Sequence, residues 1–284
     1  MTTFKLKWDQ WSLELGPRTL LMGVINITPD SFSDSGRFYD SKKAIAHGLE
    51  LVRAGADIID IGGESTRPGA EAVSRDEELE RIIPVIKGLT GQINVPISVD
   101  TYKSGVAKEA LKAGASMLND ISAGRFDPEM VRLAAKEKCP LILMHMKGQP
   151  RTMQENPHYR DLLAEVKSFL SQAAEKAERA GVAREMIIID PGLGFGKTFD
   201  HNLILMNRLE EFAALNRPLL VGPSRKAFLG RILGGVPPED RETATVAAAV
   251  LAAYKGAHII RVHKVEPSKG ALAVVQAVRR EHIA

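Results

Sequence analysis

The sequence predicts an α/β fold: a single-domain (β/α)8 TIM barrel over residues 1–284, with a short N-terminal β-hairpin (residues 1–17) capping its closed end. Three observations carry this expectation. Eight short apolar runs recur along the chain, and each ends in polar side chains followed by a loop, as barrel strands do on a catalytic face. The returns from helix to strand repeat one phrase, RAGADIID from Arg53, KAGASMLND from Lys112 and YKGAHIIRVH from Tyr254. In it Gly55, Gly114 or Gly256 stands where a left-handed residue ends a helix. The length of 284 residues suits one barrel of about 250 residues plus loops and an extension.

Taken in order, Phe4 to Leu15 alternates apolar and polar residues on either side of Asp9 and Gln10, the pattern of a hairpin. LLMGVIN, ending at Asn26, is the first barrel strand, and the loop from Ile27 to Asp40 has neither helical nor strand period. Loops that long in compact domains are usually functional. DIIDIGG brings in Asp60, and GGESTRPGAEAVSRDEE then sets Ser65, Thr66 and Arg67 among glycines and a proline before Ser74 and Glu77 open a helix as a capping box. PISVD ends at Asp100, MLND at Asn119 and Asp120, and PLILMH at His145. HMKGQPRTMQENPHY is a second long irregular stretch, leading to a helix from about Tyr159 to Arg179.

MIIIDPGLGFGKT changes character at Asp190: a β-branched run ends there, and Gly192, Gly194 and Gly196 follow. These glycines let the loop approach a ligand closely, or serve only a tight turn. A Walker A loop would need glycine at Pro191, and G-x-G-x-x-G would need it at Lys197, so neither nucleotide-binding loop is present. PLLVGPSRK ends in Ser224, Arg225 and Lys226 before the helical AFLGRIL, an arrangement that suits an anion. The Ala-rich stretch Ala244–Tyr254 is a core helix with one side open to a dimer contact, and HIIRVH puts Arg261 and His263 on one side of the last strand.

A net charge of +3 and 5% aromatic residues leave no electrostatic footprint for nucleic acid. No apolar run approaches the ~20 residues of a membrane span, and MTTFKLKWDQ lacks the apolar centre of a signal peptide, so a soluble cytoplasmic protein is expected. Cys139 is the only cysteine, which rules out an intrachain disulfide and a cysteine-built zinc site, and it reads as a small buried hydrophobe. His145 alone reads as a satisfied core group rather than a ligand. Asp190, Asp100 and Asn119 at one barrel mouth with Lys226 fit a flat heterocycle whose amidine or guanidine-like edge offers parallel N–H donors to a carboxylate.

In their order, NITPDSFSD, DIGGESTRPG, SVDT, NDIS, HMKGQP, DPGLGFGKT, GPSRKAFLG and RVH resemble the dihydropteroate synthases, folate-pathway enzymes of the pterin-binding barrel family. The resemblance implies small-molecule substrates, 4-aminobenzoate and (7,8-dihydropterin-6-yl)methyl diphosphate, joined with Mg²⁺ to give 7,8-dihydropteroate and diphosphate, by a homodimer. It implies a metal contact at Asn26, diphosphate contacts at Thr66, Arg261 and His263, and a pterin pocket of Asp100, Asn119, Asp190 and Lys226. Phe32, Pro68 and Phe195 would wall the aminobenzoate, and Asp34 of the loop after the first strand and Arg67 of the loop after the second would join Asp100, Asp190 and Lys226 in catalysis. Two positions depart from the family's habit: Lys264 stands where an acidic residue often follows the last His, and Ala227 where a serine often follows the lysine. Competing readings are a methyltetrahydrofolate–corrinoid methyltransferase and a non-catalytic pterin-binding protein.

Overall fold

The computed structural model describes residues 2–28, 37–66 and 69–281, with backbone alone for 37–40. The hairpin is β1 (Phe4–Trp8) paired antiparallel with β2 (Trp11–Leu15) around Asp9 and Gln10. The barrel strands are β3 (Leu20–Asn26), β4 (Ile58–Gly62), β5 (Ile97–Asp100), β6 (Met117–Asp120), β7 (Leu141–Met144), β8 (Ile187–Asp190), β9 (Leu220–Val221) and β10 (Ile259–Val262). Around them run α1 (Arg37–Ala54), α2 (Arg75–Leu89), α3 (Ser104–Ala113), α4 (Glu129–Glu137), α5 (Leu162–Arg179), α6 (Phe199–Asn207), α7 (Ala227–Ile232), α8 (Glu242–Tyr254) and α9 (Val265–Arg280).

The eight barrel strands pair in the order β8-β7-β6-β5-β4-β3-β10-β9, all parallel. The Ile189 N–H donates to the Pro218 carbonyl at 2.9 Å, and an Ile189–Leu219 bridge closes β8 onto β9, so this is the TIM barrel that the strand pattern predicts. Strands covered by helices outside and side chains inside are buried on both faces, which is why β4 and β8 read as unbroken apolar runs around one carboxylate.

Pairing register sets the site. Asn26, Gly62, Asp100 and Asn119 are successive partners across β3, β4, β5 and β6, so they share one layer at the C-terminal mouth. Asp60 lies two residues before Gly62 and therefore on the same side of β4, one layer deeper.

Gly55, Gly114 and Gly256 take φ of 103°, 119° and 100°, as the repeated phrase predicts. A Cβ on Gly114 would also stand 2.1 Å from the Thr90 hydroxyl, so that position excludes side chains twice over. The hairpin rests against the N-terminal strand ends: Leu6 and Leu15 are fully buried, Phe4 meets the His258 ring edge-on, and His258 hydrogen-bonds to the Thr2 carbonyl at 2.9 Å just before β10.

Three local expectations shift. Helix α5 starts at Leu162, not Tyr159, because Asp161 caps it by accepting from the Ala164 N–H at 3.0 Å, while the Tyr159 hydroxyl is spent on the Gly196 carbonyl. At α2 the capping box is half made: Ser74 accepts from the Glu77 N–H, but the Glu77 carboxylate turns to Arg81 one turn on. Strand β9 stops at Val221, since Pro223 has no N–H to extend the ladder, and the Ser-Arg-Lys run lies in the turn beyond it. Cys139 is buried, and burial pushes its thiol up to about 12, in keeping with a core hydrophobe. Among the described residues no helix is long and apolar enough to cross a membrane.

Candidate active site

At the mouth Arg261, on β10, reaches across the barrel. Its Nε donates to Asp60 Oδ2 at 2.6 Å and its Nη2 to Asp100 Oδ2 at 2.7 Å, while Asn119 Nδ2 donates to the same Asp60 oxygen at 3.0 Å. A carboxylate as buried as Asp60 is stable only with such partners, yet its Oδ1 has none among the described residues. Burial and the neighbouring Asp60 carboxylate raise the Asp100 pKa, against the pull of Arg261 and Lys226.

Asp190 ends β8. Its Oδ1 accepts the Gly192 N–H at 2.7 Å; burial raises its pKa to about 6, while that bond and the charges of Lys226, Lys197 and Arg261 oppose the rise. Lys226, the residue before α7, lies with its ammonium 4.2 Å from the centre of the Phe195 ring and is lowered to about 8 by burial and by Arg261. Because α7 has only six residues, the charge of Lys226 rather than a helix dipole dominates that corner. At and just beyond the strand ends, Ile121, Met144, Met146, Met153 and Phe195 form a second apolar cluster separate from the main core, a wall fit for a flat ring.

The glycine loop is explained by its neighbours. A Cβ on Gly192 would fall 2.0 Å from the His145 carbonyl oxygen and one on Gly196 2.3 Å from that of Lys147, so these glycines let the loops after β7 and β8 lie backbone to backbone. Lys197 threads between them, 2.9 Å from His145 Nδ1 and 3.0 Å from the Phe195 carbonyl. Burial first, and Lys197 and Arg125 next, hold His145 neutral, its pKa lowered to about 2, which fits a structural group.

At the third corner the His263 ring takes Ser224 Oγ at 2.9 Å on Nδ1 and stands 3.4 Å from Asn26 Nδ2 on Nε2. Among the described residues no group of three His, Cys, Asp or Glu side chains could cage a metal ion. A single amide oxygen at Asn26 suits a hard cation that keeps its waters and takes the rest of its shell from substrate phosphates, the habit of magnesium.

Of the residues singled out in the sequence, Asn26, Asp100, Asn119, Asp190, Lys226, Arg261 and His263 all lie at or beside this mouth, with Phe195 packed on Lys226 and Thr66 four residues after Gly62. Phe32, Asp34, Arg67 and Pro68 lie outside the described residues. The ring also includes Asp60, Ser224 and Lys197, which were not assigned a role beforehand. For Asp60 the signal was there: a carboxylate inside an otherwise apolar strand needs a cation, and Arg261 sits inside another such strand.

The pterin binding enzyme family matches residues 22–263. The dihydropteroate synthase of Synechocystis sp. is 48% identical over 271 residues, covering 95% of this chain and 94% of that protein. A Xanthomonas albilineans dihydropteroate synthase structure with 4-aminobenzoic acid superposes with a TM-score of 0.92 at 45% identity, over 98% of this chain and 99% of that one. A second structure of that species' enzyme, in complex with 7,8-dihydropteroate, gives a TM-score of 0.82 at 40% identity over 94% and 95% of the two chains. With the family match, the identity to the curated relatives and the shared barrel in agreement, the chain belongs to the pterin-binding enzyme family and, within it, to the dihydropteroate synthases of folate biosynthesis.

Proposed function

We propose that the barrel mouth holds a dihydropterin methyl diphosphate beside 4-aminobenzoate and joins them by dissociative loss of diphosphate. The observation that carries this is the charge layout: one mouth brings together the carboxylates Asp100, paired with Arg261, and Asp190, in the field of Lys226 and Arg261, with the His263 imidazole on Ser224. Asp190 and Asp100, with Asn119, take the N–H donors of the pterin's amidine-like edge. Lys226, stacked on Phe195, steers the ring, and Phe195 walls the aminobenzoate with Phe32 and Pro68.

Thr66, His263 and Arg261 meet the diphosphate, which requires Arg261 to share the donors now given to Asp60 and Asp100. Magnesium, held through Asn26 and substrate phosphate oxygens, would neutralise charge on the leaving group. The methylene C–O bond breaks and its electron pair leaves with diphosphate; the positive charge spreads into the pterin ring, whose far edge the carboxylates hold. The arylamine nitrogen then forms the C–N bond and loses its proton. Asp34 and Arg67 take the catalytic part that the resemblance implies for them. No side chain is needed as a nucleophile, because the arylamine itself attacks the carbon that diphosphate leaves.

Leu203 and Ile204 on α6, Ile232 at the end of α7 with Leu233 just after it, and Leu251 and Tyr254 on α8 are exposed, and these apolar side chains support a homodimer built through that region. A corrinoid methyltransferase would have no use for the cation cluster at Arg261 and Lys226. The test is a paired assay on purified protein with the pterin diphosphate, aminobenzoate and Mg²⁺. Equal amounts of diphosphate and dihydropteroate, abolished by chelation, are expected; pterin binding without either product would overturn the reading.

A further inference from the structure

Away from the reacting groups, a buried cluster joins the second barrel loop to the strand that carries Asp100. Lys103, three residues after Asp100, places its ammonium on Glu64 Oε2 and, at 2.6 Å, on Glu78 Oε2. Tyr102 donates its hydroxyl to the other Glu64 oxygen at 2.7 Å. The three charged side chains are largely out of solvent, 6% exposed at Glu64, 1% at Glu78 and 20% at Lys103. Glu64 stands just before the loop and Glu78 in the first turns of α2 just after it, so one ammonium grips both ends of the segment that contains Thr66. Arg81 adds a parallel tie by donating to the Gly63 carbonyl at 2.6 Å.

Two carboxylates this close and this dry repel each other unless a cation lies between them, and burial raises the Glu78 pKa against the pull of Lys103. We infer that Lys103 is a positioning residue for the synthase reaction: it staples the stem of the Thr66 loop to the end of β5, so that the diphosphate contact and the pterin-binding Asp100 keep a fixed spacing. The inference rests on the reading above, in which Thr66 meets the diphosphate.

The test compares Lys103→Met, Lys103→Arg and Thr66→Ala in the full chain, using steady-state kinetics with the pterin diphosphate and calorimetric binding of the corresponding pterin alcohol, which lacks the diphosphate. Lys103→Met is expected to lower kcat/KM by roughly 100-fold, as a misplacement of about 1 Å can, while leaving pterin alcohol affinity unchanged. Lys103→Arg, which keeps the charge, should restore most of the loss. Unchanged kinetics in Lys103→Met would overturn the staple, and so would an equal loss of pterin alcohol binding, which would make Lys103 a support for Asp100 alone. Thr66→Ala separates the two ideas: if it retains full activity the diphosphate role of Thr66 fails, whereas an impaired Thr66→Ala beside an unimpaired Lys103→Met sinks only the staple. Should Lys103→Met not fold, Glu64→Gln cuts the same tie while sparing the Lys103–Glu78 pair, and the same contrast between the diphosphate and the alcohol is expected of it.

Discussion

Arg261→Met is expected to cost both stability and catalysis. The side chain is only 21% exposed and is shared by Asp60, which is fully buried, and Asp100, which is 13% exposed. Removing one partner of a buried ion pair leaves an uncompensated charge and typically costs about 3–5 kcal/mol. For a chain of this size that corresponds to a fall in Tm of roughly 6–20 °C. Diphosphate turnover should drop by ~100-fold or more, since a donor aimed at developing negative charge is lost. Adding Asp60→Asn to the variant should recover part of the Tm, because the orphaned charge goes with it, but none of the activity. A Tm equal to wild type would contradict the buried-network reading, and retained turnover would contradict the diphosphate role.

Asp190→Asn separates binding from stability. A carboxylate that accepts two N–H donors from one ligand edge forms two charge-assisted bonds of about 1.5–3 kcal/mol each, and an amide replaces only one of them, weakly. Pterin affinity should therefore fall by ~100-fold or more. The pH dependence adds a second signature. Burial raises Asp190 to about 6, above the ~3.9 of an unfolded chain, so the free protein binds the extra proton in its folded form. Its contribution to stability is complete below the unfolded value and is lost as pH rises through about 6. Ligand N–H donors favour the ionised form, so wild-type pterin affinity should climb with pH across the same window, and Asp190→Asn should lose the part of the rise centred near 6 while keeping that of Asp100, which burial also raises. Calorimetry at several pH values reads both effects. Unchanged affinity in the variant would remove Asp190 from the pterin site.

The fold was legible because its period is short. Six of the eight barrel strands are buried apolar runs holding one or two polar residues, and the returns into β4, β6 and β10 carry the glycines that the structure holds at positive φ. The site was legible to the extent that its residues fall at strand ends, as Asn26, Asp100, Asn119 and Asp190 do. What escaped depends on pairings across the barrel. Nothing local to DIIDIGG says that Asp60 shares Arg261 with Asp100, residues 201 and 161 positions away from the arginine. The glycines of GLGFGKT show the same limit: spacing excluded nucleotide loops, but only three-dimensional packing reveals that Gly192 and Gly196 make room for the backbone after β7. The Lys103 cluster was invisible for the same reason, its members being spread over three elements.

The central claim is that this mouth lets diphosphate leave before the amine attacks. Rapid-quench single turnover, with enzyme in excess over the pterin diphosphate, Mg²⁺ present and aminobenzoate omitted, tests it most directly. Diphosphate release at a rate comparable to the complete reaction is the predicted result; cleavage that occurs only when aminobenzoate is added would contradict the dissociative account and require a concerted displacement.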